Sequence, residues 1–141
     1  MDSTSLVVVV DDEPEVRDIA GLIIKNAGYQ VETISNNDEE RILGLRNRAK
    51  LFLIDLGVPL GSGLELVRKL NVKNNPYEVL IMTGGSEFDW FEAARDLGVI
   101  GYLHKPFSSK KLVGHVESAL IYASRKAEKL TSAGITNAAL G

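Results

Sequence analysis

Two uninterrupted apolar segments that each end in aspartate constrain the fold of this chain most. Residues 6–10 have the sequence Leu-Val-Val-Val-Val and precede Asp11 and Asp12, and residues 51–54 have the sequence Leu-Phe-Leu-Ile and precede Asp55. Continuous apolar strands of this kind belong in the middle of a sheet that is covered on both faces. Such a sheet would bring all three acids to one edge.

Strand and helix signals alternate along the rest of the chain. Strands are predicted at 6–10, 29–34, 51–55, 79–82 and 101–104. Pro14 suits the first turn of the first helix and Gly28 its end, a helix is expected over about 87–97, and Ser108 or Ser109 is the expected cap of the last helix. Five strand–helix units in alternation predict an α/β fold with a doubly wound parallel sheet.

The helical periodicity also predicts which side chains face the core. The expected apolar face of the first helix comprises Val16, Ile19, Ala20, Ile23 and Ala27. The expected face of the second helix comprises Ile42, Leu45 and Ala49. Side chains at this spacing share one side of a helix and would pack against the sheet.

Composition narrows the class of protein. The 141 residues fit one domain, and 45% hydrophobic with 25% charged residues is typical of a globular chain. A net charge of −3 argues against direct nucleic-acid binding. The chain has no cysteine, no apolar stretch long enough to span a bilayer, and no basic region before its first apolar segment. We therefore expect a cytoplasmic protein that does not enter a membrane.

Five polar residues fall at the predicted carboxyl ends of strands. They are Asp11, Asp12, Asp55, Thr83 and Lys105. Ligands of parallel α/β sheets bind at these ends, and crowded carboxylates favour a hard cation such as Mg2+. A metal-ready acidic pocket with one lysine is suited to receiving a phosphoryl group.

Each of these residues also has a simpler interpretation when it is taken alone. Asp11 and Asp12 could cap the first helix, because acids stabilise a helix start. Thr83 could be an ordinary strand-end residue, and Lys105 a solvated surface lysine. Their joint placement at the strand ends is what favours a metal and phosphoryl site.

Several motifs in order resemble the receiver domain of bacterial response regulators in two-component signal transduction. They are Asp11-Asp12, the segment 55–59 with Gly63 eight positions after Asp55, Thr83, and Lys105-Pro106-Phe107. The resemblance covers about residues 5–124. It implies a flavodoxin-like (βα)5 fold with strand order 2-1-3-4-5, which accepts a phosphoryl group from a histidine kinase or phosphotransfer protein.

The resemblance assigns a role to each acid. Asp55 would be the phosphoacceptor. Asp12 and Asp55 would ligate Mg2+ directly, together with the backbone carbonyl of Gly57. Asp11 would act mainly through a metal-bound water. These assignments are what membership in the family would imply.

The resemblance also implies a switch. Thr83 would hydrogen-bond the phosphoryl group, Lys105 would pair with it, and Tyr102 occupies the position of the family's switch aromatic. Lys105–Pro106 would be a cis peptide. Phosphorylation would then alter the face formed by the fourth helix, fifth strand and fifth helix, which would contact a partner or output domain, or a second copy of the chain.

On this interpretation the chain is a signalling domain that catalyses only its own phosphorylation and dephosphorylation. Residues 125–141 would form a helix extension and a flexible tail, or the stub of a linker. Whether the chain is a stand-alone regulator or part of a larger protein stays open.

Three other functions compete. An aspartyl-nucleophile phosphatase would want a second acid two positions after Asp55, where Gly57 stands. A nucleotide-binding Rossmann domain would carry a glycine fingerprint after the first strand, where Asp11, Asp12 and Glu13 stand. A phosphorylation-independent interaction module would not need the complete set of site residues.

Overall fold

A five-stranded parallel sheet forms the centre of the molecule. The computed structural model describes residues 5–56, 60–84 and 89–134. The strands lie side by side in the order β2-β1-β3-β4-β5. Their bounds are β1 Leu6–Val10, β2 Gln30–Ile34, β3 Ala49–Asp55, β4 Glu78–Thr83 and β5 Gly101–His104. The predicted doubly wound sheet and its strand order are confirmed.

Helices cover both faces of this sheet. They are α1 Pro14–Asn26, α2 Glu39–Gly44, α3 Leu60–Leu70, a 3-10 turn Val72–Asn74, α4 Asp89–Asp96 and α5 Ser109–Ser132. Helices α1 and α5 pack on one face, where Val7 and Val9 of β1 point, and α2, α3 and α4 pack on the other, where Val8 and Val10 point. No helix in the described ranges has both the length and the apolar character to cross a membrane.

The strand register sets the position of the acids. Val10 pairs with Ile54, and Asp55 pairs with Met82 of β4. The residues that follow β1 and the last residue of β3 therefore lie at the same edge of the sheet. Every residue of β1 and β4 is buried, which explains why residues 6–10 and 79–82 are apolar without alternation.

Helix α1 is rotated relative to the predicted apolar face. Ala20, Gly21 and Ile24 are buried, but Ile19 is 56% exposed and Ala27 is exposed. A Cβ atom at Gly21 would lie 3.1 Å from the Thr33 methyl group, so the helix approaches β2 through its glycine. This close approach turns Ile19 to solvent, and its predicted burial is wrong.

Helix α2 is shorter than its apolar spacing suggested. It ends at Gly44, and Ala49 is the first residue of β3, where it pairs with Leu6. The amide of Ala49 still donates to the Leu45 carbonyl at 2.9 Å, so one residue closes a helical turn and begins a strand. The assignment of Ala49 to the face of the second helix is therefore wrong.

The last helix continues well beyond residue 124. Its N-cap is Ser108, whose hydroxyl accepts a hydrogen bond from the Lys111 amide at 3.1 Å. Near its other end, Lys126 forms an ion pair with Glu78 at 3.1 Å and donates to the backbone carbonyls of Val72 and Tyr77. Burial lowers the pKa of Lys126 and raises the pKa of Glu78. These contacts fasten the helix extension to the start of β4.

We expect replacement of Lys126 to destabilise the fold. Lys126→Met leaves the carboxylate of Glu78, whose side chain is 10% exposed, without this partner. The free energy of unfolding should fall by about 3 kcal/mol, as when one member of a buried ion pair is removed. Urea denaturation measures the change.

Two further variants test the cause. Lys129→Met alters an exposed lysine of the same helix and should change the free energy of unfolding by less than about 0.5 kcal/mol. Adding Glu78→Gln to Lys126→Met should recover part of the loss, because no unpaired charge then remains. Equal stability of Lys126→Met and Lys129→Met would contradict the role of the ion pair.

Candidate acidic site at the carboxyl edge of the sheet

Four carboxylates converge where β1 and β3 end. One oxygen from each of Asp11, Asp12, Glu13 and Asp55 lies within 4.8 Å of the others. Asp11 and Asp55 are buried, whereas Asp12 and Glu13 are exposed. The three predicted acids are thus brought together, and Glu13 is an addition that was not among the predicted site residues. Its position directly after Asp12, at a helix start on this edge, was the available signal.

One lysine of the described part of the chain lies among these acids. The ammonium nitrogen of Lys105 is 2.7 Å from Oδ2 of Asp11, 3.2 Å from Oδ2 of Asp55 and 3.3 Å from Oε1 of Glu13. Its side chain is 14% exposed. The peptide bond between Lys105 and Pro106 is cis, as the resemblance implied. The lysine that follows β5 therefore reaches across the sheet edge to the acids after β1 and β3.

The crowding of charge perturbs the ionisation of this cluster. Burial raises the pKa of Asp11, and the negative charge of Asp55 adds to that effect, while contacts with Lys105 and the Glu13 amide oppose it. Burial alone would lower the pKa of Lys105, but its bonds to Asp11 and Asp55 outweigh this and raise it. The lysine thus stays positively charged and partly balances the acids around it.

Local hydrogen bonds fix the backbone around the acids. Oδ1 of Asp11 accepts from the Glu13 amide at 2.8 Å, which satisfies one amide at the start of α1. The guanidinium of Arg17 donates to the Asp11 carbonyl at 2.7 Å, and the amide side chain of Asn36 donates to the Asp55 carbonyl at 2.9 Å. The sequence reasoning missed both Arg17 and Asn36. The signal for Asn36 was its place just after β2, a strand that ends on this edge.

The remaining predicted site residues lie on neighbouring strands. Thr83 ends β4, is buried, and accepts a hydrogen bond from the Lys105 amide through its carbonyl at 2.7 Å. Tyr102 of β5 is half-buried, and its hydroxyl donates to the carbonyl of Phe91 in α4 at 3.1 Å. The two rings lie 4.5 Å apart between centroids. Gly57, the expected carbonyl ligand, lies outside the described residues.

The donor set matches a hard divalent cation. All four converging groups are carboxylates, and Asp12 and Glu13 are exposed to the solvent from which a hydrated ion would come. Mg2+ prefers oxygen ligands and keeps part of its water shell, so a site with both buried and exposed carboxylates fits it. The net negative charge left after Lys105 is counted also favours a cation.

Comparison with known proteins identifies the family. The model of the response regulator receiver domain family matches residues 7–117. The chain belongs to this family. The acid cluster, Thr83 and Lys105 therefore lie at the carboxyl edge of a receiver sheet.

Individual relatives of this receiver differ in their overall length. Sporulation initiation phosphotransferase F of Bacillus subtilis strain 168 is 25% identical over 114 residues, which are 81% of this chain and 92% of that protein. Transcriptional regulatory protein ResD of the same strain is 31% identical over 130 residues, 89% of this chain and 52% of ResD. The receiver therefore spans nearly all of the first relative and about half of the second.

Solved structures agree with the fold of this receiver. A CheY-like response regulator receiver domain protein from Methanospirillum hungatei JF-1 superposes with a TM-score of 0.76 at 21% identity, covering 87% of this chain and 98% of that one. NtrX from Brucella abortus superposes with a TM-score of 0.75 at 25% identity, covering 89% of this chain and 28% of that one. These superpositions support the same parallel sheet with flanking helices.

We expect substitutions of Asp12 and of Lys105 to change the free energy of unfolding in opposite directions. In metal-free buffer, Asp12→Asn removes one negative charge from the cluster and should raise the free energy of unfolding by about 1 kcal/mol, the repulsion of one pair of charges at 4 Å in water. Lys105→Met leaves Asp11 and Asp55 without their shared cation and should lower it by about 3 kcal/mol.

Chemical denaturation in the presence of a chelator measures both effects. Asp18→Asn, an exposed acid on α1, is the control and should change the free energy of unfolding by less than about 0.5 kcal/mol. A loss of stability in Asp12→Asn, or none in Lys105→Met, would show that repulsion among these acids is not what the lysine offsets.

Proposed function

We propose that the chain is a response regulator receiver that takes a phosphoryl group from a histidine kinase or phosphotransfer protein onto Asp55 with the help of Mg2+. The observation that carries this proposal is the position of the Asp55 carboxylate. It lies in a cluster of acids suited to a divalent cation and 3.2 Å from the Lys105 ammonium. The family membership and the likeness to a protein named as a phosphotransferase support the same role.

The transfer needs little from the protein besides placement and charge. The ionised carboxylate of Asp55 attacks phosphorus and requires no base. As the new oxygen–phosphorus bond forms, the bond from phosphorus to the donor imidazole nitrogen breaks, and its electron pair stays on the imidazole. Lys105 lies where it can balance the charge of the phosphoryl oxygens after they displace its contact with Asp55.

Particular residues would hold the metal. Asp12 and Asp55 are the proposed direct ligands, together with the carbonyl of Gly57, and Asp11 would act through a metal-bound water. The exposed position of Asp12 and the buried position of Asp11 are compatible with these two roles. A bound Mg2+ would neutralise charge between the carboxylate and the incoming group.

Signalling would begin at Thr83. Its hydroxyl would donate to a phosphoryl oxygen and draw the end of β4 towards Asp55. The segment after Thr83 leads to α4, whose first turn holds the Tyr102 hydroxyl through the Phe91 carbonyl. A shift of this segment would therefore release or reorient Tyr102 and change the surface formed by α4, β5 and α5.

That surface is the proposed contact for a partner, an output domain or a second copy of the chain. ResD and a second relative at 28% identity, FixJ, are named as transcriptional regulators, and the chain covers 52% and 60% of their lengths. We propose that regulation passes through protein contacts of the receiver surface. Contact with nucleic acid would belong to a partner or an attached domain.

Phosphorylation can be tested directly. Incubation with a small-molecule phosphodonor and Mg2+ should add one phosphate to the intact protein, detected as a single increment in mass. Asp55→Ala should show none, because the attacking oxygen is lost, and a chelator should slow the reaction of the wild-type protein by at least about 100-fold.

Asp18→Ala controls for the loss of an acid away from the site and should be phosphorylated at the wild-type rate. Phosphate on Asp55→Ala, or unchanged phosphorylation with chelator, would overturn the proposed acceptor or its metal. A wild-type protein that takes no phosphate would instead favour the phosphorylation-independent interaction module.

The switch can be followed with fluorotyrosine. The chain has four tyrosines, so 19F NMR should give a short set of signals, and Tyr102→Phe assigns the one of interest. Phosphorylation should move the Tyr102 signal in the wild type, because its contact with Phe91 changes. Thr83→Ala should still accept phosphate but leave this signal unmoved.

Thr131→Ala removes a threonine hydroxyl from the exposed part of α5 and should respond as the wild type does. A Tyr102 signal that moves equally in Thr83→Ala would show that the threonine does not link the two sites.

A further inference from the structure

Asn36 connects the end of β2 to the end of β3, although these strands are not neighbours in the sheet. Strand β1 lies between them. The side-chain nitrogen Nδ2 of Asn36 donates to the backbone carbonyl of Asp55 at 2.9 Å. The asparagine therefore reaches over the end of β1 to the proposed phosphoacceptor.

The contact occurs one residue beyond the last pair between β1 and β3. The last pair between β1 and β3 is Val10 with Ile54, and beyond it the chain of β1 bends into the acids that precede α1. At the next level, the Asp11 amide bonds to the Ile34 carbonyl of β2, and Asn36 bonds to Asp55. The Asn36 side chain thus supplies a hydrogen bond to β3 at Asp55, one residue after the last pair of β3 with β1.

The orientation of the Asn36 amide group is set by this bond. Its oxygen Oδ1 is buried and accepts no hydrogen bond from any residue of the described ranges. The amide group is therefore oriented with its donor nitrogen towards the Asp55 carbonyl.

We propose that Asn36 is a positioning residue for the Asp55 site. It holds the backbone carbonyl of Asp55, the residue whose carboxylate is the proposed acceptor and metal ligand. The hydrogen bond acts on the backbone of Asp55, so it orients this proposed metal ligand without touching the ion or the phosphoryl group. This inference rests on the proposed function, in which Asp55 is the metal-assisted acceptor.

Loss of this bond should weaken metal binding more than it weakens the fold. Groups that orient metal ligands from the outer shell change affinity by about tenfold or more when they are removed. Asn36→Ala should therefore raise the apparent Kd for Mg2+ about tenfold. The rate of phosphorylation should fall at low Mg2+ and recover largely as Mg2+ approaches saturation.

The chain offers a matched control in Asn75. Its Nδ2 also donates to backbone carbonyls, at 2.8 Å to Asn71 and 3.3 Å to Leu70, and its Oδ1 is likewise buried without a partner among the described residues. Asn75 precedes β4, so it lies at the opposite edge of the sheet from the acids. Asn75→Ala should lower the free energy of unfolding and leave the affinity for Mg2+ unchanged.

The experiment is an NMR titration of the unphosphorylated full chain with Mg2+, with urea denaturation of each variant. Asn36→Ser is made beside Asn36→Ala, because serine suits the same turn but its hydroxyl is too short to reach the Asp55 carbonyl, and it supplies the measurement if the alanine variant does not fold. A weaker affinity in the Asn36 variant together with wild-type affinity in Asn75→Ala supports the proposal.

Wild-type affinity in the Asn36 variant overturns the proposal, and so does an equal loss of affinity in Asn75→Ala. Failure of the proposed function has a different signature. In that case the wild-type protein itself neither binds Mg2+ in the titration nor gains phosphate, whatever residue stands at position 36.

Discussion

The pairing of Lys105 with Asp11 and Asp55 is the interaction on which the rest of the site depends. Asp11 is fully buried, and burial of a carboxylate is costly unless a cation compensates it. The ammonium at 2.7 Å supplies that compensation, and among the described residues Lys105 is the one side chain that forms ion pairs with the four clustered acids. The cluster is therefore left short of positive charge, which is the condition for attracting a divalent cation.

The parallel sheet makes this arrangement achievable from residues far apart in sequence. Because all strands run in one direction, the segments after β1, β3, β4 and β5 leave the sheet on the same edge. Lys105 contacts Asp11 although most of the chain separates the two residues in sequence. Thr83 ends β4 at this same edge, and the chain continues from it to α4, which contacts Tyr102. The proposed chemistry and the proposed readout therefore share one sheet.

Much of this could be predicted, and the failures have physical causes. The apolar segments before Asp11 and Asp55 identified the central strands, because a strand that is buried on both faces is apolar at every position. Ile19 and Ala49 were misplaced because periodicity cannot reveal the close approach of Gly21 to Thr33, or a residue that ends a turn while it starts a strand. Asn36 and Arg17 were missed because they donate to backbone carbonyls: the place of Asn36 just after β2 indicated this edge of the sheet, but residue spacing does not reveal a backbone partner.

The central claim is that acids from two strand ends share one divalent cation beside Asp55. The most direct test is a crystal of the protein soaked with Mn2+, a close substitute for Mg2+ that scatters anomalously. The account predicts one strong anomalous peak bonded to carboxylate oxygens of Asp12 and Asp55, with the Lys105 ammonium on the far side of Asp55. A peak elsewhere on the surface, or none at this cluster when Mn2+ is in excess, would contradict it.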